Sequence, residues 1–345
     1  MLRQGVLRWL APLLAAAAVG VHAQTPAAPR DPFAWLAPSV VVSADDRRVL
    51  DRGDPIAVVL PSDKHELAVF AAITVTVDAA RLRAWVNRIE LLKQSEYVLG
   101  IERLSDPPRL GDFANLVVDD DDLDAIRSCH AGDCALKMSA AEMAALQDSA
   151  RAAGKAWRPA VQAGFREMVF ARVQAYIASG VITPYEDKRP PIAPSERFAG
   201  ILDHLPFLAA HAPGIAARLA AAPTPGAGDS FFYWSKERIA RKAVVNVTEV
   251  HIFPPETPDG PALLVTARNV FATHYINGSL GVTALFEGAP GGPNYLIYVN
   301  RSSVDTPGGL FSGMVRWFAE RRLKGNSGQV LRTLRTRLES GVPPG

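Results

Sequence analysis

Cysteine is scarce, with two in 345 residues. That excludes a scaffold knitted by several disulfides and a thiol-rich zinc module. The glycine signatures of nucleotide binding are missing as well. There is no Walker-type loop and no Gly-x-Gly-x-x-Gly after a strand, so nothing supports a phosphate cradle. The nucleophile elbow Gly-x-Ser-x-Gly is absent, and its nearest approximation, Asn277-Gly278-Ser279-Leu280-Gly281, has Asn where the first Gly belongs. A calcium loop counted from Asp120 needs Gly at its sixth position and Glu at its twelfth, where Ala125 and Ala131 stand. Charge of one sign is lacking too: 37 Lys and Arg against 35 Asp and Glu give +2, which argues against nucleic acid as a partner. No run beyond residue 23 is long and apolar enough to span a bilayer. The chain specifies no reaction, and no cofactor or metal is expected from it.

What is present begins with an export signal. Arg3 and Arg8 precede an apolar run over 9–21, with small residues at Val21 and Ala23. This is the layout of a signal peptide cleaved before Gln24, and the run is shorter than the roughly 20 residues a membrane anchor needs. Loss of Arg3 and Arg8 brings the formal charge to about zero. The expected location is periplasmic or secreted. Cys129 and Cys134 then read as a disulfide closing a small loop, because an oxidising compartment joins a close pair. In the chain-entropy view so short a loop contributes only roughly 2 kcal/mol. His130 between them offers a metal or redox alternative, but one His and two thiols are few ligands for zinc.

The richest stretch runs over 230–339. Segments 242–253, 262–276, 280–287 and 294–304 are dense in Val, Ile, Thr, Tyr and Phe and are separated by Pro and Gly, which predicts four or five strands. Asn277-Gly278 predicts a two-residue type I′ turn that pairs 262–276 with 279–287. Phe311, Met314, Val315 and Phe318, then Val330, Leu331, Leu334 and Leu338, recur at helical spacing on either side of Gly325-Asn326-Ser327. A strand over 66–77 and a helix over 80–92, with Leu82, Trp85, Val86 and Ile89 on one face, stand upstream. Short strands are expected at 40–42 and 56–60. Between these blocks the chain is helical. An acidic cap at 119–122 opens a short helix. Ser139 and Glu142 form a capping box for a helix to about Ala153. Pro159 begins a helix ending near Gly180, and further helices are expected over 195–205 and 213–222 before the linker 222–228.

This order of elements resembles the START/SRPBCC helix-grip superfamily, in which a curved antiparallel sheet wraps a C-terminal helix around a hydrophobic cavity. The resemblance implies an α+β fold with a long C-terminal helical tail, split by a helical insertion. The division expected is a leader at 1–23, a flexible lead-in at 24–38, the first strands and helix at 39–104, the insertion with the disulfide loop at 105–228, and sheet plus C-terminal helices at 229–341.

Polar side chains in the strand block are the candidate ligand-binding residues. Glu249 and His251 share one strand face, as do Arg268 and His274; Tyr275, Tyr298 and Arg301 join them. Facing a cavity, they would anchor a small molecule in an otherwise apolar site, and Glu249, His251 or His274 could serve as acid or base in an envelope hydrolase. Facing outward or pairing across strands, they would be structural. The leading expectation is a protein that binds a hydrophobic or amphipathic small molecule, such as a lipid, between sheet and tail. The alternatives are the hydrolase and an interaction protein whose insertion docks a partner. The tail's arginines, among them Arg316, Arg321, Arg332, Arg335 and Arg337, with Trp317, could also rest on an anionic membrane surface.

Overall fold

The computed structural model describes residues 31–63, 65–187, 191–223, 229–305 and 326–341. It is an α+β protein built on one open, fully antiparallel sheet of eight strands: β1 (Ile56–Val59), β2 (Glu66–Val75), β3 (Val98–Arg103), β4 (Asp229–Ile239), β5 (Lys242–Phe253), β6 (Leu263–Ala272), β7 (Ile276–Phe286) and β8 (Asn294–Val304). Their order in space is β1-β2-β8-β7-β6-β5-β4-β3. β2 therefore lies beside β8 along its whole length, Phe70 opposite Val299. Strands from both ends of the sequence make one body.

Alternation along the strands gives the sheet two buried faces. On one face Phe70, Val282 and Val299 pack under α1 (Pro32–Trp35), α2 (Ala44–Asp51), α8 (Pro194–Asp203), α9 (Pro206–His211) and α10 (Pro213–Ala220), while Trp234, Val247 and Phe271 pack under α5 (Asp120–Ser128), α6 (Ala140–Ala153) and α7 (Trp157–Ser179). On the other face Ile73, Val250, Val265, Leu285 and Leu296 pack under α3 (Ala79–Val86), α4 (Ile89–Leu92) and α11 (Asn326–Glu339). We call these the insertion face and the α11 face.

Local chemistry explains most element ends. Ser139 and Glu142 close their capping box at the start of α6, and Gly180 stops α7 at φ 71°. Each of α8, α9 and α10 begins with Pro in its first turn, where no amide donor is needed. α7 buries Val161, Phe165, Val169, Val173 and Tyr176, the stripe its spacing predicts.

Three expectations change. Residues 40–42 form no strand; instead Ser43 caps α2, accepting from Asp46 N at 3.1 Å. The sequence of α2 is too polar to show an apolar period, so the cap is its only signal. The helix over 80–92 divides into α3 and α4 around Asn87-Arg88. The hairpin between β6 and β7 exists, yet its turn is not at Asn277-Gly278. It falls at Thr273-His274-Tyr275, where Tyr275 has φ 63°, and neither Asn277 nor Gly278 takes a positive φ. The Asn277 amide is held inside by the Lys137 ammonium at 2.8 Å, a tertiary contact that overrides the local turn preference.

Cys129 and Cys134 are joined by a disulfide. Among the described residues no helix is long and apolar enough to cross a membrane. The expected stripe at Phe311, Met314, Val315 and Phe318, with Arg316, Trp317 and Arg321, lies outside them, as does the leader.

Candidate functional site

Glu249, His251 and Arg268 converge on the insertion face. Register places Glu249 opposite Arg268, and period two places His251 beside them. His251 Nε2 stands 2.9 Å from Glu249 Oε1, and Tyr176 on α7 donates to Glu249 Oε2 at 2.7 Å. Arg268 Nη1 donates to the same Tyr176 oxygen at 2.7 Å, Nη2 donates to Leu219 O, and the guanidinium lies 4.0 Å over the Phe198 ring. Burial pushes the Glu249 carboxyl up, but the hydrogen bond and charge of His251, the charge of Arg268 and the Tyr176 hydroxyl outweigh it and hold it below its usual value. This network fills the seam between the two apolar clusters of the insertion face. It ties α7 and α10 to the sheet.

Arg301 stands in the same transverse row, one strand beyond Leu280, and Glu66 holds it at 2.9 Å. Glu66 also meets His204 Nδ1 at 2.9 Å, with Asp63 4.0 Å from His204 Nε2. His274 sits in the β6–β7 turn, where Nδ1 faces Ala135 O at 2.9 Å and Nε2 faces Asp122 at 2.8 Å. Asp122, read in the sequence as part of a solvated acidic cap, is buried and also meets Lys242 at 3.2 Å. Tyr275 packs beside Leu67, Val69 and Val304 at one end of the α11 face.

Tyr298 lies on the α11 face, away from Glu249, His251, Arg268 and Arg301. Its ring lies against Gly281, where a Cβ would come within 3.2 Å of Tyr298 Cε2, so a larger residue there would push the ring aside. The residue keeps 39% of its surface accessible. Burial nevertheless pushes its hydroxyl up to about 12, with Lys93 pulling down and Tyr233 and Glu237 pushing up. Lys93 and Glu237 repeat the pattern. They pair at 2.7 Å, with 29% and 24% of their side chains accessible, while burial is the largest influence on each.

Beside Tyr298 the α11 face carries a polar mesh. Asn300 Nδ2 donates to Ser279 Oγ at 3.1 Å, and Ser302 Oγ donates to Asn300 Oδ1 at 2.8 Å. Apolar clusters close both ends: Leu285, Leu296 and Val250 on one side, Leu67, Val69 and Val304 on the other. Sequence reasoning missed Lys93, Tyr233 and Glu237. Tyr233, Ser235 and Glu237 alternate along one strand, which is the signal that could have found the last two.

The tail arginines that are described turn to the chain itself: Arg332 pairs with Asp54 at 2.9 Å, Arg335 donates to Gly53 O at 2.6 Å, and Arg337 donates to Leu92 O and Gln94 O at 2.6 and 2.9 Å. A scan against protein-family models and a search of curated proteins both found no match.

Proposed function

We propose that the protein is an exported binding module of helix-grip type, and that it holds an amphipathic small molecule in a hollow on the α11 face, around Tyr298. Tyr298, accessible on a sheet face between two apolar clusters, carries the reading. The apolar ends suit a hydrocarbon body. The hydroxyls of Tyr298 and Ser302 and the amide of Asn300 suit a polar head. Three features support the helix-grip assignment: β2 runs directly into α3 and α4, the remaining strands follow in sheet order, and α11 returns to the same face as α3 and α4. The disulfide supports an oxidising compartment.

The test is mass spectrometry of small molecules extracted from protein purified out of that compartment, for the natural chain and for Gly281→Leu. Leucine at 281 displaces the Tyr298 ring and fills the floor. A compound recovered with the natural chain and depleted at least about tenfold from the variant, the scale of one lost apolar contact set, supports the proposal. Nothing enriched in either protein, or equal recovery from both, overturns it.

A further inference from the structure

We propose a second binding site, on the insertion face, that takes a small monocarboxylate with an apolar tail and grips the carboxylate with Arg268. A cavity of about 270 Å³ opens between the C-terminal end of α7, α8 and the end of α10. Ile182, Phe198, Ala199, Leu202 and Leu219 give it apolar walls, and Arg268 is the one charged side chain among the described residues that line it.

The guanidinium has capacity left. Arginine offers five N–H donors in a planar fork. Nη1 serves Tyr176 and Nη2 serves Leu219 O, while Nε is buried with no hydrogen-bond partner, its nearest carboxylate oxygen on Glu249 being 3.8 Å away. Arg268 is only 5% exposed. Among the described residues Nη1 and Nη2 each make one hydrogen bond, which leaves each a second N–H for an acceptor in the cavity that Arg268 lines. The Phe198 ring 4.0 Å beneath fixes the plane of the fork. Glu249 turns Oε1 to His251 at 2.9 Å and leaves Oε2 3.8 Å from Arg268 Nε, beyond hydrogen-bond reach.

The remaining polar groups of the lining are spoken for. Ser179 Oγ donates to Ala175 O and accepts from Val181 N, and Ser195 Oγ accepts from Ile182 N. The ends of α7 and α10 would oppose an anion through their carbonyls. Several of those carbonyls are engaged: Tyr176 O by Gly180 N, Ala217 O and Arg218 O by Ala221 N, and Leu219 O by Arg268 itself. With no second cation in the lining, a dianion has nothing to meet its other charge. A dry cavity of roughly 150 Å³ holds a benzene ring, so this one has room for a ring carrying a short acid chain.

Isothermal titration of the full chain with 3-phenylpropionate, 3-phenylpropan-1-ol and 3-phenylpropylamine tests the site. The acid is expected to bind at least about tenfold more tightly than the alcohol, the difference one charge-assisted hydrogen bond makes, and the amine not at all. Ala199 lies on the exposed side of α8 at the cavity wall, so Ala199→Trp blocks the space without disturbing the core and should abolish acid binding. Gly281→Leu, which fills the hollow on the other face, should leave it unchanged, separating this site from the first. Arg268→Lys keeps the charge and loses the fork, and should weaken the acid about tenfold; if that variant fails to fold, Ala199→Trp decides. Three ligands binding alike, no binding of the acid, or acid binding that survives Ala199→Trp would each overturn the proposal.

Discussion

Lys137 Nζ, just ahead of α6, stands 2.7 Å from Asp305 Oδ1 at the end of β8. The lysine is 1% exposed and also reaches Asn277 at 2.8 Å, Tyr185 at 3.2 Å and Asp187 at 3.3 Å. Insertion and sheet are thus clamped by one buried cation between two carboxylates. Removing one partner of such a group strands the others away from water, so Lys137→Met is expected to cost about 3–5 kcal/mol. Arg158→Ala, which breaks an exposed pair with Asp124, should cost under about 1 kcal/mol. Urea unfolding at neutral pH compares them directly.

Acid should loosen the same junctions. Burial raises the carboxyls of Asp122, Glu142, Glu237 and Glu249, yet the hydrogen bonds and charges of the groups around them, His274, Arg172, Lys93 and His251 first, outweigh it and hold each below its ordinary value. A carboxyl with a depressed folded value carries fewer protons folded than unfolded. Its contribution is therefore complete above the unfolded value of about 4 and lost as pH falls through the lower folded value. Unfolding free energy is expected to fall steeply below about pH 4. Asp122→Asn should be less stable at neutral pH and show a shallower acid decline; an unchanged slope would remove Asp122 from this account.

Tyr176→Phe isolates the bridge between α7 and the sheet. It deletes only the hydroxyl that links Glu249 to Arg268, and leaving those buried groups short of a partner should cost about 1–3 kcal/mol. Tyr176→Phe on an Arg268→Met background should cost less than on the natural chain, because the two share one network.

The strands of the C-terminal half were legible because Val, Ile and aromatic residues crowd 242–253 and 294–304 and the breakers between them are unambiguous. The capping box of α6 and the stripe of α7 were legible for the same local reasons. Asn277-Gly278 misled because a tertiary bond to Lys137 pulls Asn277 inward. The pairing of Glu249 with His251 followed from period two, but Tyr176, 73 residues away in the chain, carries no mark that it meets them. Which face a strand residue takes depends on the helices that cover it. That is why Tyr298 and Glu249, neighbours in the candidate list, sit on opposite sides.

The disulfide is expected to matter little to the whole. It closes a short loop at Cys129 and Cys134, and its gain in the chain-entropy view is only about 2 kcal/mol. Cys129→Ser with Cys134→Ser should lower the urea midpoint modestly and leave ligand recovery unchanged. Loss of all folded protein would mean the loop has a larger part, through Gly132 N and Cys134 N, which donate to Glu186 O and Asp187 O beside the Lys137 clamp.

One titration tests whether Lys93 and Glu237 reach Tyr298. Lys93 lowers the Tyr298 hydroxyl value while Glu237, which pairs with Lys93 from β4, raises it. Glu237→Gln removes a negative charge near the phenol, so Tyr298 should ionise at lower pH; Lys93→Met should move it higher. The shift is followed by NMR of ring-labelled tyrosine, with Tyr298→Phe assigning the signal. If neither substitution moves it, the charges stand beyond the screening length of about 8 Å at physiological salt, and a binding surface shared by β4 and β8 is lost. Opposite shifts from the two variants place both charged groups beside the phenol, as such a surface requires.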